Sequence, residues 1–122
     1  MHIEKSDEFA KDYKKLCKKY LSIPEDIKRA EELIRKFPLG KDESGTRLFR
    51  TDPVRRDDAG KRYICKMRVR CQALKNSDCL RLIYYYNGQC AELLCIELYF
   101  KGNKDNEDFA RVEEYWQACT SE

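Results

Sequence analysis

The sequence predicts an α+β domain: an N-terminal αα-hairpin packed on a small, mainly antiparallel β-sheet, with a C-terminal helix. Three observations carry this expectation. Phe9, Tyr13, Leu16, Cys17 and Tyr20, and then Ile27, Ala30, Leu33, Ile34 and Phe37, recur at helical spacing on two adjacent segments. Three strand-like runs follow, at 62–72, 80–86 and 91–101, connected by Asn76-Ser77-Asp78 and by Asn87-Gly88. Asn-Gly between alternating runs is a strong hairpin signal, so successive strands are antiparallel. Residues 105–118 return to helical spacing, with Phe109, Val112, Tyr115 and Trp116 as the apolar stripe. At 122 residues the chain reads as one domain, 1–122, long enough for a single core.

Each element has a local cause. Ile3 to Lys5 reads as a short edge strand. Ser6 is a helix N-cap, and Asp7 and Glu8 in the first turn complement the helix dipole. Lys11, Lys14, Lys15, Lys18 and Lys19 fall largely on the polar face of the first helix, which is either a solvated face or a phosphate-contacting stripe. Ser22-Ile23-Pro24-Glu25 has the form of a capping box opening the second helix. Pro38 and Gly40 stop that helix. Residues 46–51 form a weak strand candidate. The polar, turn-rich stretch 52–61 reads as a protruding loop or β-arm carrying Arg55 and Arg56, either neutralised locally by Asp57 and Asp58 or gripping RNA.

Composition narrows the function classes. Hydrophobic residues are 42% and charged residues 39%, a balance that folds rather than stays disordered. The longest apolar run, 91–100, is interrupted by Glu92 and Glu97 and falls far short of the roughly 20 residues of a membrane span. Met1-His2-Ile3-Glu4-Lys5 lacks a secretory leader pattern, so a cytoplasmic protein is expected. Seven cysteines at 17, 65, 71, 79, 90, 95 and 119 form no CxxC pair, and the lone His2 is terminal. Neither zinc nor another metal site, nor a disulfide framework, nor a Cys-His nucleophile is expected, and no cofactor is implied. Cys65, Cys71 and Cys95 sit within predicted strands as small apolar filler.

The net charge of +3 conceals an uneven distribution. Residues 62–86 carry six cations against Asp78 alone, whereas 87–122 carry three cations against eight carboxylates. Read with period two, the strands place Lys66, Arg68 and Arg70 on one face, then Arg81 and Tyr85, then Glu97, Tyr99 and Lys101. The expectation is a cationic, solvent-accessible face opposite the αα-hairpin, suited to a polyanion. Sheet arginines also pair with carboxylates, and on this face Arg68 or Arg81 would pair with Glu97.

The order β-α-α-β-β-β-α, with Lys66-Met67-Arg68-Val69-Arg70, Leu80-Arg81-Leu82-Ile83-Tyr84-Tyr85-Tyr86 and Ile96-Glu97-Leu98-Tyr99-Phe100-Lys101, resembles the RelE/ParE toxin superfamily, specifically its RelE/HigB-like branch. The Phe9 to Leu16 pattern and the Pro38-Leu39-Gly40 stop extend the likeness over nearly the whole chain. The 52–61 stretch is longer than in compact members, and the net charge is lower. The resemblance implies a toxin of a type II toxin-antitoxin system. Such a toxin would cleave mRNA on the ribosome without a metal, by 2′-hydroxyl attack on the adjacent phosphate, and a cognate antitoxin would neutralise it. By the same resemblance Arg81 holds a phosphate oxygen, Lys66 and Arg68 stabilise charge or move a proton, and Tyr99 and Lys101 complete the catalytic set. Glu97 is the candidate base. Arg70, Tyr85, Arg55 and Arg56 are the candidate substrate contacts. Two alternatives remain open: a ParE-like toxin acting on gyrase, and a non-catalytic member that binds antitoxin or RNA.

Overall fold

The computed structural model describes residues 2–119. The chain runs β1 (Ile3–Lys5), α1 (Asp7–Lys19), α2 (Ile23–Lys36), β2 (Thr51–Arg56), β3 (Arg62–Cys71), a 3-10 turn (Gln72–Leu74), β4 (Ser77–Asn87), β5 (Glu92–Phe100) and α3 (Phe109–Ala118). This is an α+β architecture with three helices and a five-stranded sheet of order β1-β5-β4-β3-β2. Only the β1–β5 pair is parallel.

The helical hairpin forms for the expected reasons. The Ser6 hydroxyl accepts the Phe9 N–H at 3.0 Å and caps α1. Phe9 and Leu16 on α1, with Ile23, Ile27, Ala30 and Ile34 on α2, bury their apolar stripes on one face of the sheet. There they meet Cys65, Met67, Val69 and Cys71 of β3, Leu80, Leu82 and Tyr84 of β4, and Leu93, Cys95 and Leu98 of β5. Cys65, Cys71 and Cys95 are fully buried filler in this layer. Tyr84 anchors it by donating to the Pro38 carbonyl at 2.5 Å and sharing a hydrogen bond with Thr51 Oγ1 at 3.0 Å.

Three local expectations are corrected. The capping box does not form. Ser22 is already helical in φ and ψ, and its hydroxyl turns to Asp26 Oδ2 at 2.7 Å while accepting the Ala73 N–H at 2.8 Å, tying α2 to the turn after β3. Within 46–51 only Thr51 is in a strand, and of the two readings of 52–61 the β-arm holds over the first half, because Thr51–Arg56 pairs with β3 as the outermost strand. Pro53 is tolerated there because an edge strand has one side without a partner, and the register shifts beside it. Finally, α3 begins at Phe109 rather than near 105, with Asp108 capping it by accepting the Arg111 N–H at 3.0 Å.

Gly40 marks the turn from α2 toward β2. Its φ is +74°, and a Cβ there would lie 2.7 Å from Thr51 Cγ2, so only glycine fits.

A second, smaller core lies on the other sheet face. Ile64, Ile83, Tyr85, Ile96 and Tyr99 pack there against Val112 and Trp116 of α3. The sheet is therefore covered on both sides.

Candidate functional site

Register brings the candidate residues together. Lys66 pairs with Ile83, which pairs with Glu97; Arg68 pairs with Arg81, which pairs with Tyr99. Two adjacent cross-strand rows thus place Lys66, Arg68, Arg81, Glu97 and Tyr99 on the face turned from the αα-hairpin, as strand parity requires.

That face is not open, and this corrects the sequence expectation. Arg81 is 8% exposed, Tyr99 5%, Glu97 1% and Tyr85 0%. The reason is α3 and the segment before it. Ile64 and Ile83 share the cations' parity and give Trp116 and Val112 an apolar seat, so the helix lies down on the sheet rather than standing free. Those two isoleucines, alternating with the cations, were the signal in the sequence.

Inside this layer the charges are paired. Lys66 Nζ donates to Glu107 Oε1 at 2.9 Å. Glu97 accepts from Lys104 Nζ and from the Asp108 N–H, the latter at 2.9 Å. Its partner is thus Lys104 rather than Arg68 or Arg81. Arg81 folds back on the backbone, donating to the Asp78 carbonyl at 2.6 Å and the Leu80 carbonyl at 3.0 Å. An Arg81→Ala change is therefore not the near-neutral surface change that an exposed arginine would give. Tyr99 stands over this cluster with its hydroxyl buried and without a hydrogen-bond partner. Desolvation, with the nearby Glu107 and Glu97 carboxylates, pushes its phenol up to about 12, against a smaller opposing effect of Arg81. It stays protonated at neutral pH. Lys104 and Glu107 come from the segment between β5 and α3, and no strand pattern marks them.

The remaining candidates are dispersed. Tyr85 lies beneath the Arg62 guanidinium, 6.0 Å from its ring centroid, and presents no surface for a base to stack on. Arg55 is on β2, ion-paired with Glu113 of α3 and 5.1 Å above the Trp116 ring, so its neutralising partner is distant in sequence. Arg56 ends the same strand, exposed. Lys101 follows β5, exposed, with Nζ donating to the Asp105 carbonyl at 2.6 Å.

Arg68 and Arg70 are the members of the set that reach solvent beside a cavity. A cleft of about 400 Å³ lies between α2 and the end of β3. Arg29 and Arg50 join Arg68 and Arg70 around it, over a floor that includes Leu33, Leu48 and Val69. Arg29 is paired with Asp26 at 2.8 Å, and Arg68 lies 3.7 Å from the exposed Asp78. No carboxylate pairs with Arg50 or Arg70 among the described residues. Arginines bordering an open cleft suit phosphate oxygens. Arg29 belongs to α2 and Arg50 precedes β2, so neither shares the strand parity that links Arg68 to Arg70.

Among the described residues no group of three His, Cys, Asp or Glu side chains is placed to hold a metal ion. No helix among them is long and apolar enough to cross a membrane. Compared with known protein families, characterised proteins and solved structures, the chain matches none.

Proposed function

We propose that this chain is a toxin of the RelE/HigB type, an mRNA endoribonuclease that acts at the ribosome and is held in check by a cognate antitoxin. The observation that carries the reading is the row Arg68–Arg81–Tyr99, which continues at its β3 end into the open arginine cleft. The three sequence blocks and the αα-hairpin on a mainly antiparallel sheet support it.

In this reading the RNA 2′-oxygen attacks the adjacent phosphorus, the bond to the 5′-oxygen breaks, and the products are a cyclic phosphate and a 5′-hydroxyl. The developing phosphorane needs positive charge, which Arg68 supplies from the cleft with Arg70 positioning the strand. Lys66 lies one row away and is 27% exposed at its side chain, so it is the candidate proton carrier beside Arg68. Tyr99, protonated and without a partner, is a hydrogen-bond donor rather than a base. Glu97, sealed and doubly hydrogen-bonded, holds the 104–108 segment in place rather than acting as the base, so the 2′-hydroxyl gives its proton to solvent water and Lys66 donates one to the departing 5′-oxygen.

One observation favours a second reading, a non-catalytic protein that binds RNA or its antitoxin. Lys66 and Glu97 are neutralised within the chain, as structural ion pairs are. Induced expression with mapping of mRNA 5′ ends separates the readings, with Arg68→Ala as control. The nuclease gives new 5′-hydroxyl ends inside reading frames, lost in the variant. Growth arrest without new ends, with or without gyrase-linked DNA breaks, rejects it.

A further inference from the structure

A second cavity, of about 540 Å³, opens at the far edge of the same end of the sheet. It lies between α1 and the last residues of β5, and Lys15, Lys18, Lys19 and Lys104 surround it with Asn103 and Tyr99. The α1 lysine run is thus divided by geometry: three of its five members face this cavity, and Lys11 and Lys14 do not.

The two carboxylates at this cavity are already committed. Asp12 accepts from Arg111 at 2.8 Å and from the Leu98 N–H at 3.0 Å, and Glu97 accepts from Lys104 and the Asp108 N–H. No carboxylate pairs with Lys15, Lys18 or Lys19 among the described residues. The cavity therefore presents unneutralised cations around a floor containing Leu16, Leu98 and the ring of Phe100.

The arginine cleft and this lysine pocket are separate cavities at the same end of the sheet, and the buried Arg81 lies between them. Arg68 lines the first, Tyr99 lines the second, and Arg81 is on the intervening strand. Adjacent strands are about 4.8 Å apart, so the row spans roughly 10 Å from Arg68 to Tyr99. Ridges of cations separated by one short row, with an aromatic floor at one end, fit a flexible phosphodiester chain better than a compact anion.

We propose that the lysine pocket is a second phosphate-binding subsite. One single-stranded RNA segment occupies both cavities and crosses the end of the sheet that they share. This rests on the nuclease reading above and names the path its substrate takes.

The test is fluorescence anisotropy of a labelled single-stranded oligoribonucleotide of about ten nucleotides, titrated across salt concentrations. The triple variant Lys15→Gln/Lys18→Gln/Lys19→Gln is compared with Lys11→Gln/Lys14→Gln/Lys28→Gln, which removes the same charge from exposed positions outside both cavities. Each lost phosphate contact lowers the slope of log K against log salt by about 0.7, so the pocket variant loses about 2 in slope and more than tenfold in affinity at low salt. The control variant keeps its slope. Equal losses in the two variants, undiminished binding in the pocket variant, or no RNA binding by the wild type overturns the proposal, as does a duplex bound equally well with the same lysine dependence. Cleavage of ribosome-bound mRNA by the same preparations separates this from the nuclease reading. Pocket-dependent binding without cleavage rejects the nuclease and supports the subsite; cleavage and binding indifferent to the pocket lysines reject the subsite alone.

Discussion

Replacing Arg81 and Arg68 separately by alanine probes two arginines that face each other across β3 and β4 yet sit in different surroundings. Arg68 is exposed, and its contact is a 3.7 Å approach to Asp78, whose side chain is 55% exposed. Such a pair contributes about 0–1 kcal/mol. Arg81 is 8% exposed and gives two charge-assisted hydrogen bonds to main-chain carbonyls. A hydrogen bond to a charged group is worth about 1.5–3 kcal/mol. Because Asp78 is exposed, water reclaims its carbonyl in the variant, which places the loss at the lower end, about 2 kcal/mol. At about 2.1 cal/mol/K per residue, a chain of this length loses about 4 °C in Tm for each kcal/mol. Thermal and urea unfolding should therefore show Arg81→Ala about 8 °C below wild type and Arg68→Ala within about 4 °C of it. Specific activity per folded molecule is then measured for both. Arg68→Ala should lose about 10²–10³ in cleavage rate, the scale of one lost charge contact to a transition state. Equal stability of the two variants would refute the assignment of Arg81 to a buried, backbone-holding role. Full activity in Arg68→Ala would refute its role at the phosphate.

Further outcomes follow from single side chains. Tyr99→Phe removes a buried hydroxyl that has no partner, so stability should rise or hold, by up to about 1 kcal/mol in urea unfolding. The raised Tyr99 pKa means that the folded state holds this proton more tightly than the unfolded chain. Its contribution is full below about pH 10 and is lost as pH rises toward 12, so a tyrosinate absorbance titration should lose a step near 12 in the variant. Tyr84→Phe leaves the Pro38 carbonyl and the Thr51 hydroxyl without their partner and should cost about 1–3 kcal/mol. Burial pushes the Cys65 and Cys95 thiols up to about 12, so timed alkylation with mass spectrometry should label exposed Cys90 first and these two only on unfolding.

The hairpin, the three antiparallel strands and the shared parity of the cations were legible because each follows from a local period: 3.6 for Phe9 to Tyr20 and Ile27 to Phe37, two for the strands. Strand β2 was not. Pro53 and the charges around it leave a loop and a β-arm equally open, and the strand exists because β3 offers it an edge to pair with. The closure of the candidate face was also missed. Trp116 and Val112 read as an apolar stripe, but their seat on Ile64, Ile83 and Ile96 depends on which face α3 returns to, a tertiary choice that the sequence marks only by Ile64 and Ile83 at the cations' parity. Glu107 and Lys104 were missed for a related reason. They pair with Lys66 and Glu97 across 41 and 7 residues from a segment without periodicity. Ser22 shows the opposite case, in which a strong local motif yields to a better long-range partner at Ala73.

The most direct test of the proposed activity uses purified protein and ribosomes programmed with a defined mRNA. Primer extension then reads cleavage by wild type, by Arg68→Ala and by Lys66→Ala, each checked for folding beforehand. The account predicts discrete cuts with 5′-hydroxyl ends from the wild type, reduced at least a hundredfold in rate by Arg68→Ala. Intact mRNA with folded wild-type protein, or equal cutting by all three proteins, would contradict it.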